Sequence, residues 1–487
     1  MARLRILHVT PECFPFAKVG GLGDVAGALP LALAARGHDV RVVMPRYRVT
    51  KSKPSVPMRG ALGVPIGQHT AWAGVHRAEL VSQAPQRPSV PVYLLEHDVL
   101  YDRDGIYGDA HGGFGDNLAR YAFLSRGALA LSDYLGFEPQ VVHVHDWPTS
   151  LVPIYLGSAS TSPALRRAAT VLSIHNMAYQ GWFPRSELGR TGLPMHPELL
   201  SALDMHGQLN LLKAGILRST IVSTVSPRYA HEIQSPEGGE GLDGLLRARG
   251  SDVVGVLNGI DEWVWNPETD PYIESHFSAD DLGGKAHCKE ALQREMGLEQ
   301  RADVPLIGLV SRLVDQKGID LFASALERVL ALDAQVVLLG AGDRWAEGFF
   351  QGLSQRSRSF RAYIGQSEAL AHRIEAGADL FVMPSRYEPC GLNQMYSQRY
   401  GTLPIVRAIG GLDDTVEHEE TGFKFDDVSP EALADTIAWA VWVYRNDRAR
   451  FTAMQRKAMT KPMGWSNAAR QYEALYRLAI ARHLGRL

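Results

Sequence analysis

Short apolar runs alternate with helix-patterned stretches twice along this chain, and that double alternation restricts the fold more than any other feature. The first run opens with LRILHV (4–9), continues with helical spacing from Asp24 to Arg36 stopped at Gly37, and returns to an apolar run in DVRVVMP (39–45). Strand, helix and strand in that order form a βαβ unit, which requires a parallel sheet. Further strands are predicted at VPVYLLE (90–96), VVHVHDW (141–147), ATVLSIHN (169–176), TIVSTVS (220–226) and VVGVLNG (253–259). The pattern then restarts with VPLIGLVS (304–311), AQVVLLGAG (334–342), FRAYIG (360–365), DLFVMPS (379–385) and LPIVRAI (403–409). GIDLFASALERVL, SEALAHRIEAGA and GLNQMYSQRYG are the helices between them. Two such runs predict an α/β protein of two doubly wound domains. Gly, Asn and Pro collect in LNGIDEWVWNP, which places the boundary there: a first domain over 1–256 and a second over 257–465. Three helical segments close the chain, near 429–446, 448–460 and 466–484, and the last, within 466–487, is expected to pack back on the first domain.

Composition narrows the function. With 487 residues and 45% hydrophobic side chains there is material for two large cores. A net charge of −3 argues against a polybasic nucleic-acid binder and against electrostatic attraction to a membrane. There is no apolar run of about 18 residues, so no transmembrane helix is expected. The apolar part of MARLRILHVT reads as a first strand rather than a signal peptide. Cys13, Cys288 and Cys390 are widely separated and form no CxxC pair, which fits a reduced, cytoplasmic setting.

Open parallel sheets bind ligands beyond the carboxyl ends of their strands, so the residues that follow each strand carry the functional information. After the first strand come Lys18, Gly20, Gly21 and Gly23. Gly21, Gly23 and Ala26 fit G-x-G-x-x-A, but the glycines lie some way past the strand. Moreover, Met44, Pro45 and Arg46 stand where a dinucleotide site needs an acid at the end of the second strand. The segment reads equally as an anion cradle with a mobile cation and as a tight turn beside a solvated lysine. In HVHDW (143–147), His143 and His145 share a strand face; a metal needs a third ligand and only Asp146 is near, so a structural histidine or a sugar contact is the better reading. His175 and Asn176 end a further strand, with Tyr179 and Trp182 close behind; His175 serves either as a packed core residue or as a group facing a crevice. Arg312 and Lys317 follow the first strand of the second half and suit a diphosphate or simply solvent. In PSRYEPCGLNQMY (384–396), Glu388 precedes a helix start at which the amides of Gly391 and Leu392 can cap an anion. Gly410 and Gly411 repeat that theme, and Cys390 reads as a packed thiol.

Taken together, KVGGLGDV, HVHDW, IHNMAYQG, TVSPRYAHEIQSPEGGEGLDGLLRAR, VLNGIDEWVWNP, SRLVDQKGID, PSRYEPCGLNQMYSQRYG and GGLDDTVEH resemble the bacterial glycogen synthases and plant starch synthases, from the first strand almost to the last helix. The resemblance implies a GT-B fold, two Rossmann-like domains facing each other across a cleft. It implies transfer of glucose from ADP-glucose to the non-reducing 4-hydroxyl of an α-1,4-glucan, with retention and with neither metal nor cofactor. By the same resemblance Arg312 and Lys317 neutralise the donor diphosphate, Glu388 is the essential carboxylate beside the glucosyl unit, and His175 contacts the glucose. Lys18 belongs to the K-x-G-G motif that meets the ADP end, and Gly20 and Gly21 form its glycine loop. Asp24 and Asn258 are donor or glucose contacts, Gly391 and Leu392 receive phosphate, and Asn176, Cys390 and Tyr396 line the substrate region. Tyr396 stands where many retaining relatives carry a second glutamate, Gln366 where many carry a tyrosine near the adenine, and Asp413 where the family usually has alanine.

Three rival readings compete. One is a related transferase using UDP-glucose. A second is an NADP-linked dehydrogenase, suggested by Gly21, Gly23, Ala26 and Arg46, which leaves Arg312, Lys317 and Glu388 unexplained. The third is a glycan-binding protein without catalysis, which has no use for Lys18, Arg312, Lys317 and Glu388 together.

Overall fold

The computed structural model describes residues 2–82, 88–158 and 161–486. The chain divides into two compact units: Met1–Val225 with Ala230–Gly259 and Trp465–Leu487, and Ser226–Tyr229 with Ile260–Gly464.

In the first unit the leading elements are β1 (Arg5–Val9), α1 (Gly21–Ala35), β2 (Asp39–Pro45), β3 (His69–Leu80) and β4 (Val90–Glu96). They are followed by α2 (Asn117–Tyr134), β5 (Val141–His145), β6 (Ala169–Ile174), β7 (Ile221–Thr224) and β8 (Val253–Gly255). The strand order is β8-β7-β6-β5-β1-β2-β4-β3, with short edge strands beyond. Every neighbouring pair from β8 to β4 is parallel. The strands are buried on both faces, as parallel sheets require: Ile6, Val9, Val141, Val144, Val171 and Leu172 have no exposed surface.

The antiparallel pairing of β3 with β4 and with Leu62–Ile66 extends the sheet at one edge. Sequence reading did not anticipate it. Its inward positions include Ala73 and Ala78, so the alternation that marks a strand is carried by weak signals. The terminal helix (Trp465–His483) belongs to this unit. It packs on α1, burying Trp465, Tyr472, Tyr476 and Ala479. Arg36, at the end of α1, donates twice to Glu473 of that helix, at 2.8 and 2.6 Å.

The second unit contains α3 (Gly283–Glu295), β9 (Leu306–Val310), α4 (Ile319–Leu330), β10 (Gln335–Gly340), β11 (Phe360–Ile364) and α5 (Glu368–Gly377). It continues with β12 (Leu380–Met383), α6 (Asn393–Arg399), β13 (Leu403–Arg407), α7 (Gly410–Thr415), β14 (Phe423–Phe425) and α8 (Pro430–Asn446). Six parallel strands run in the order β11-β10-β9-β12-β13-β14. Alternate residues of β10 feed opposite faces. Val336 and Leu338 pack with Phe322 and Leu326 of α4 and Ile437 of α8, whereas Val337 and Leu339 pack with Leu292 of α3 and Ile374 of α5. The unit is therefore three-layered and doubly wound.

The helix read from GLNQMYSQRYG is shorter than its apolar pattern suggests. Gly391 adopts φ +70°, a left-handed conformation that no helix interior accepts, and α6 begins only at Asn393 with Leu392 as its N-cap.

Candidate active site

Each sheet reverses its strand order at one point, and the conspicuous polar groups gather at both. In the first unit the reversal lies between β1 and β5. The loop after β1 folds over Glu12, a buried carboxylate. Its Oε2 accepts the backbone N–H groups of Val19 at 2.6 Å and Gly20 at 3.1 Å, and its Oε1 accepts Tyr107 Oη at 2.6 Å. Burial pushes the Glu12 carboxyl up, against the pull of these three donors. Lys18 is paired with Asp24 at 2.7 Å. The glycines divide by role. A Cβ on Gly27 would stand 2.5 Å from Phe14 O, so glycine is required there, whereas one on Gly23 would press at 3.0–3.3 Å on the side chains of Lys18 and Glu12, which would have to shift. A Cβ on Gly20 or Gly21 would meet nothing within 4 Å: these two face open space at the start of α1.

At the end of β5, Asp146 sits at φ +53°, a strained position for a non-glycine residue. Its Oδ1 accepts the His175 backbone N–H at 2.7 Å, which ties the loop after β6 to the end of β5. Burial pushes the Asp146 carboxyl up to about 8, opposed by that amide. Asn176 uses its side-chain oxygen to accept the Ala178 N–H at 3.0 Å, an Asx turn. Asn258 is buried, with an Oδ1 that has no partner among the described residues.

In the second unit the reversal lies between β9 and β12. Their pairing ends at Gly308↔Phe381, and the strands part beyond it. Asn393 Nδ2 donates to the released Val310 carbonyl at 2.7 Å. The loop after β9 brings Lys317 against Glu388 from the loop after β12, and Ser385 Oγ donates to the same carboxylate oxygen at 3.1 Å. Gly318, at φ +63°, makes this possible: a Cβ there would stand 1.9 Å from Pro384 O. Arg386 laces the two loops, donating to Asp320 at 2.6 and 2.7 Å and to the Asp315 carbonyl at 3.0 Å. Arg312 is exposed and donates to Gln316 at 3.2 Å. Cys390 is buried. Tyr396 stacks on Trp265 with centroids 3.8 Å apart, and His372 stacks on the other face of that indole at the same distance.

The glycine pair Gly410–Gly411 does not form an anion cap. The Gly411 N–H donates to Glu388 O at 3.1 Å, and a Cβ on Gly410 would lie 2.0 Å from that oxygen. The pair allows two backbones to touch beneath Glu388.

Similarity to known proteins runs along nearly the whole chain. Residues 5–248 match the family described as the starch synthase catalytic domain, and residues 296–457 match glycosyl transferases group 1. Glycogen synthase 1 of Geobacter metallireducens is 48% identical, covering 100% of this chain and 98% of its own length. A glycogen synthase of Anaeromyxobacter sp. (strain Fw109-5) is 49% identical, covering 98% of this chain and 100% of its own. The chain belongs to the glycogen and starch synthase family.

A solved member of that family, the catalytic domain of starch synthase IV from Arabidopsis thaliana bound to ADP and acarbose, superimposes with a TM-score of 0.90 at 33% identity. It covers 99% of this chain and is itself covered in full. A sucrose-phosphate synthase from Thermosynechococcus elongatus, at 17% identity and a TM-score of 0.58, shares the fold. The fold is GT-B, with two Rossmann-like domains.

Sequence reading missed Glu12, Tyr107 and Ser385. The only local signal for Glu12 was an acid just past a buried strand, and its partners lie 7, 8 and 95 residues away. The third histidine that HVHDW lacked does exist. His8, on β1, brings its ring beside His143 and His145. The nitrogens of His143 are engaged by Tyr476 Oη and Ser173 Oγ, each at 2.7 Å, and those of His145 by His8 and His175. The trio is thus built into a hydrogen-bonded core, and no helix among the described residues is long and apolar enough to cross a membrane.

Proposed function

We propose that the chain is a glycogen synthase that transfers glucose from ADP-glucose to the non-reducing 4-hydroxyl of an α-1,4-glucan with retention, acting in the cytoplasm. The observation that carries the reading is the Lys317–Glu388–Ser385 cluster at the strand reversal of the second sheet, in a chain of this family. Residues 1–256 serve as the acceptor side and 257–465 as the nucleotide-sugar side.

The chemistry follows from charge. Cleavage of the glucosyl–phosphate bond leaves an oxocarbenium-like sugar and a nucleoside diphosphate anion. Lys317, Arg312 and the backbone around Gly391 and Leu392 stabilise that anion as it forms, an interaction stronger in the transition state than before it. Glu388 lies beside the sugar. His175, Asn176, Asp24 and Asn258 orient the glucose, and Lys18 with Gly20 and Gly21 meets the ADP end. Tyr396 and Cys390 shape the wall behind it. Departure of phosphate and attack of the acceptor on the same face accounts for retention, with the leaving phosphate taking the acceptor proton. A trapped covalent glucosyl–protein adduct would replace this route with a double displacement.

The test is ADP or UDP release with glycogen as primer, comparing ADP-glucose with UDP-glucose. Faster turnover of ADP-glucose, abolished in a folded Glu388→Ala protein, supports the reading. Preference for UDP-glucose replaces the donor, and wild-type turnover by Glu388→Ala rejects the site.

A further inference from the structure

We propose that His8 and His145 are positioning residues that fix His175 as its Nδ1–H tautomer, so that its outward ring nitrogen is a hydrogen-bond donor to a sugar oxygen. The sugar contact rests on the function proposed above; the tautomer does not.

Three histidines from three adjacent strands of the first sheet form a line. His8 lies on β1, His145 ends β5, and His175 follows β6. The register pairs His8 with His143 and Ser173 with His145, so each histidine of the row stands two residues further along the sheet than its neighbour, on the same face. His8 Nδ1 lies 3.3 Å from His145 Nε2, and His145 Nδ1 lies 3.1 Å from His175 Nε2. His8 and His145 are fully buried, whereas His175 is partly exposed. Burial pushes His8 and His175 down to about 3 and His145 well below its usual range, so all three are neutral near pH 7.

A neutral imidazole carries one N–H and one lone pair. Each junction in the row needs one of each, so the tautomers are locked together and only two arrangements satisfy both junctions. In one, His8 Nδ1–H donates to His145 Nε2 and His145 Nδ1–H donates to His175 Nε2. The His175 proton is then on Nδ1. In the other, every proton runs the opposite way and the His8 proton sits on Nε2. That atom is buried and has no hydrogen-bond partner among the described residues. The second arrangement therefore buries an orphan N–H, and the first only an orphan lone pair. Orphan donors are the rarer and costlier of the two in protein interiors. His143 does not compete: its nitrogens are taken by Tyr476 and Ser173, and its ring stacks on that of His145 at 4.3 Å.

The tautomer is readable on the intact wild-type chain. With 15N-labelled histidine, long-range imidazole proton–nitrogen correlations at neutral pH separate protonated from bare ring nitrogens, and loss of a signal in His175→Asn assigns it. The expected result is a protonated Nδ1 and a bare Nε2 on His175. A proton on Nε2, or an even mixture, overturns the proposal. Kinetics supply a second arm. His8→Asp puts a carboxylate acceptor at the head of the row, so that His145 Nε2–H donates to it and His145 Nδ1 accepts from His175 Nε2–H. The His175 nitrogens should shift to the other tautomer, and kcat should fall on the order of 10-fold, the loss of one hydrogen bond, with donor KM little changed. His8→Asn, whose amide nitrogen can stand where Nδ1 stood, should restore most of the rate. A folded His8→Asp protein with unchanged kcat and an unchanged His175 spectrum also overturns the proposal. If the wild-type chain shows the Nδ1–H tautomer yet transfers no glucose, the functional reading fails and the row of histidines stands.

Discussion

Lys317 and Glu388 come from loops 71 residues apart and each is the other's nearest opposite charge. Two groups in such contact do not act independently. Lys317→Ala is expected to lower kcat on the order of 10²-fold, as removal of one stabilising donor does elsewhere. Glu388→Ala is expected to cost at least as much. The double variant should cost clearly less than the product of the two, because each single change leaves its partner without a counter-charge. Steady-state kinetics on the four proteins check this, and strictly multiplicative losses would reject the coupling. At this scale the sequence named the residue types at the strand ends. It could not assign the roles of Glu12, Asp146 or His8, which depend on partners brought from elsewhere: Tyr107 for Glu12, His175 for Asp146 and His145 for His8. Spacing along a chain carries no trace of such pairings.

At the scale of elements, connections are held by a few buried polar contacts. Glu473 ties the terminal helix to α1. Arg477 first, and then Arg36, holds its carboxyl down to about 2 from the usual 4.5. A depressed carboxylate adds stability that is fully present above the unfolded value and disappears as pH falls through the folded one. The contribution, about 1–3 kcal/mol, should therefore be intact above pH 4.5 and fade towards pH 2. Thermal unfolding of Glu473→Gln should show a lower Tm than wild type at neutral pH and convergence with wild type across that acid window; a constant gap would contradict it. Gly318 is the corresponding point in the second unit. Gly318→Ala must take a left-handed φ and drive a Cβ into Pro384 O, so a loss of roughly 1–3 kcal/mol is expected, with reduced turnover because Lys317 is the adjacent residue. Denaturant midpoints and kcat test the two effects separately. The sequence showed glycines at 318, 410 and 411. Only the packed backbones show that these three keep the β9 loop and the Gly410–Gly411 turn in touch with the 384–390 segment, and that the last pair caps no anion.

For the whole molecule, the chain starts and finishes in the same unit. A chain ending at Gly464 loses Trp465, Tyr472 and Tyr476 from the interior of the first unit, and with them one of the two hydrogen-bond partners of His143. Each large aromatic contributes about 3–5 kcal/mol when buried, together comparable to a typical domain's whole margin. Calorimetry on the truncated chain should show loss of the cooperative transition of the first unit, with residues 260–464 still resistant to protease; a retained two-domain profile would contradict this. The periodicity of the apolar runs, which follows from backbone geometry alone, was enough to determine the parallel, doubly wound part of both sheets, though not the antiparallel edge of the first, and the motifs at their strand ends were enough to determine the family. Which polar groups share a hydrogen bond, which glycines are needed for close contact and which face open space were decided by tertiary structure. Those relations exist only after the β-strands have been set side by side, and burial, register and the satisfaction of each N–H group are properties of neighbours in space.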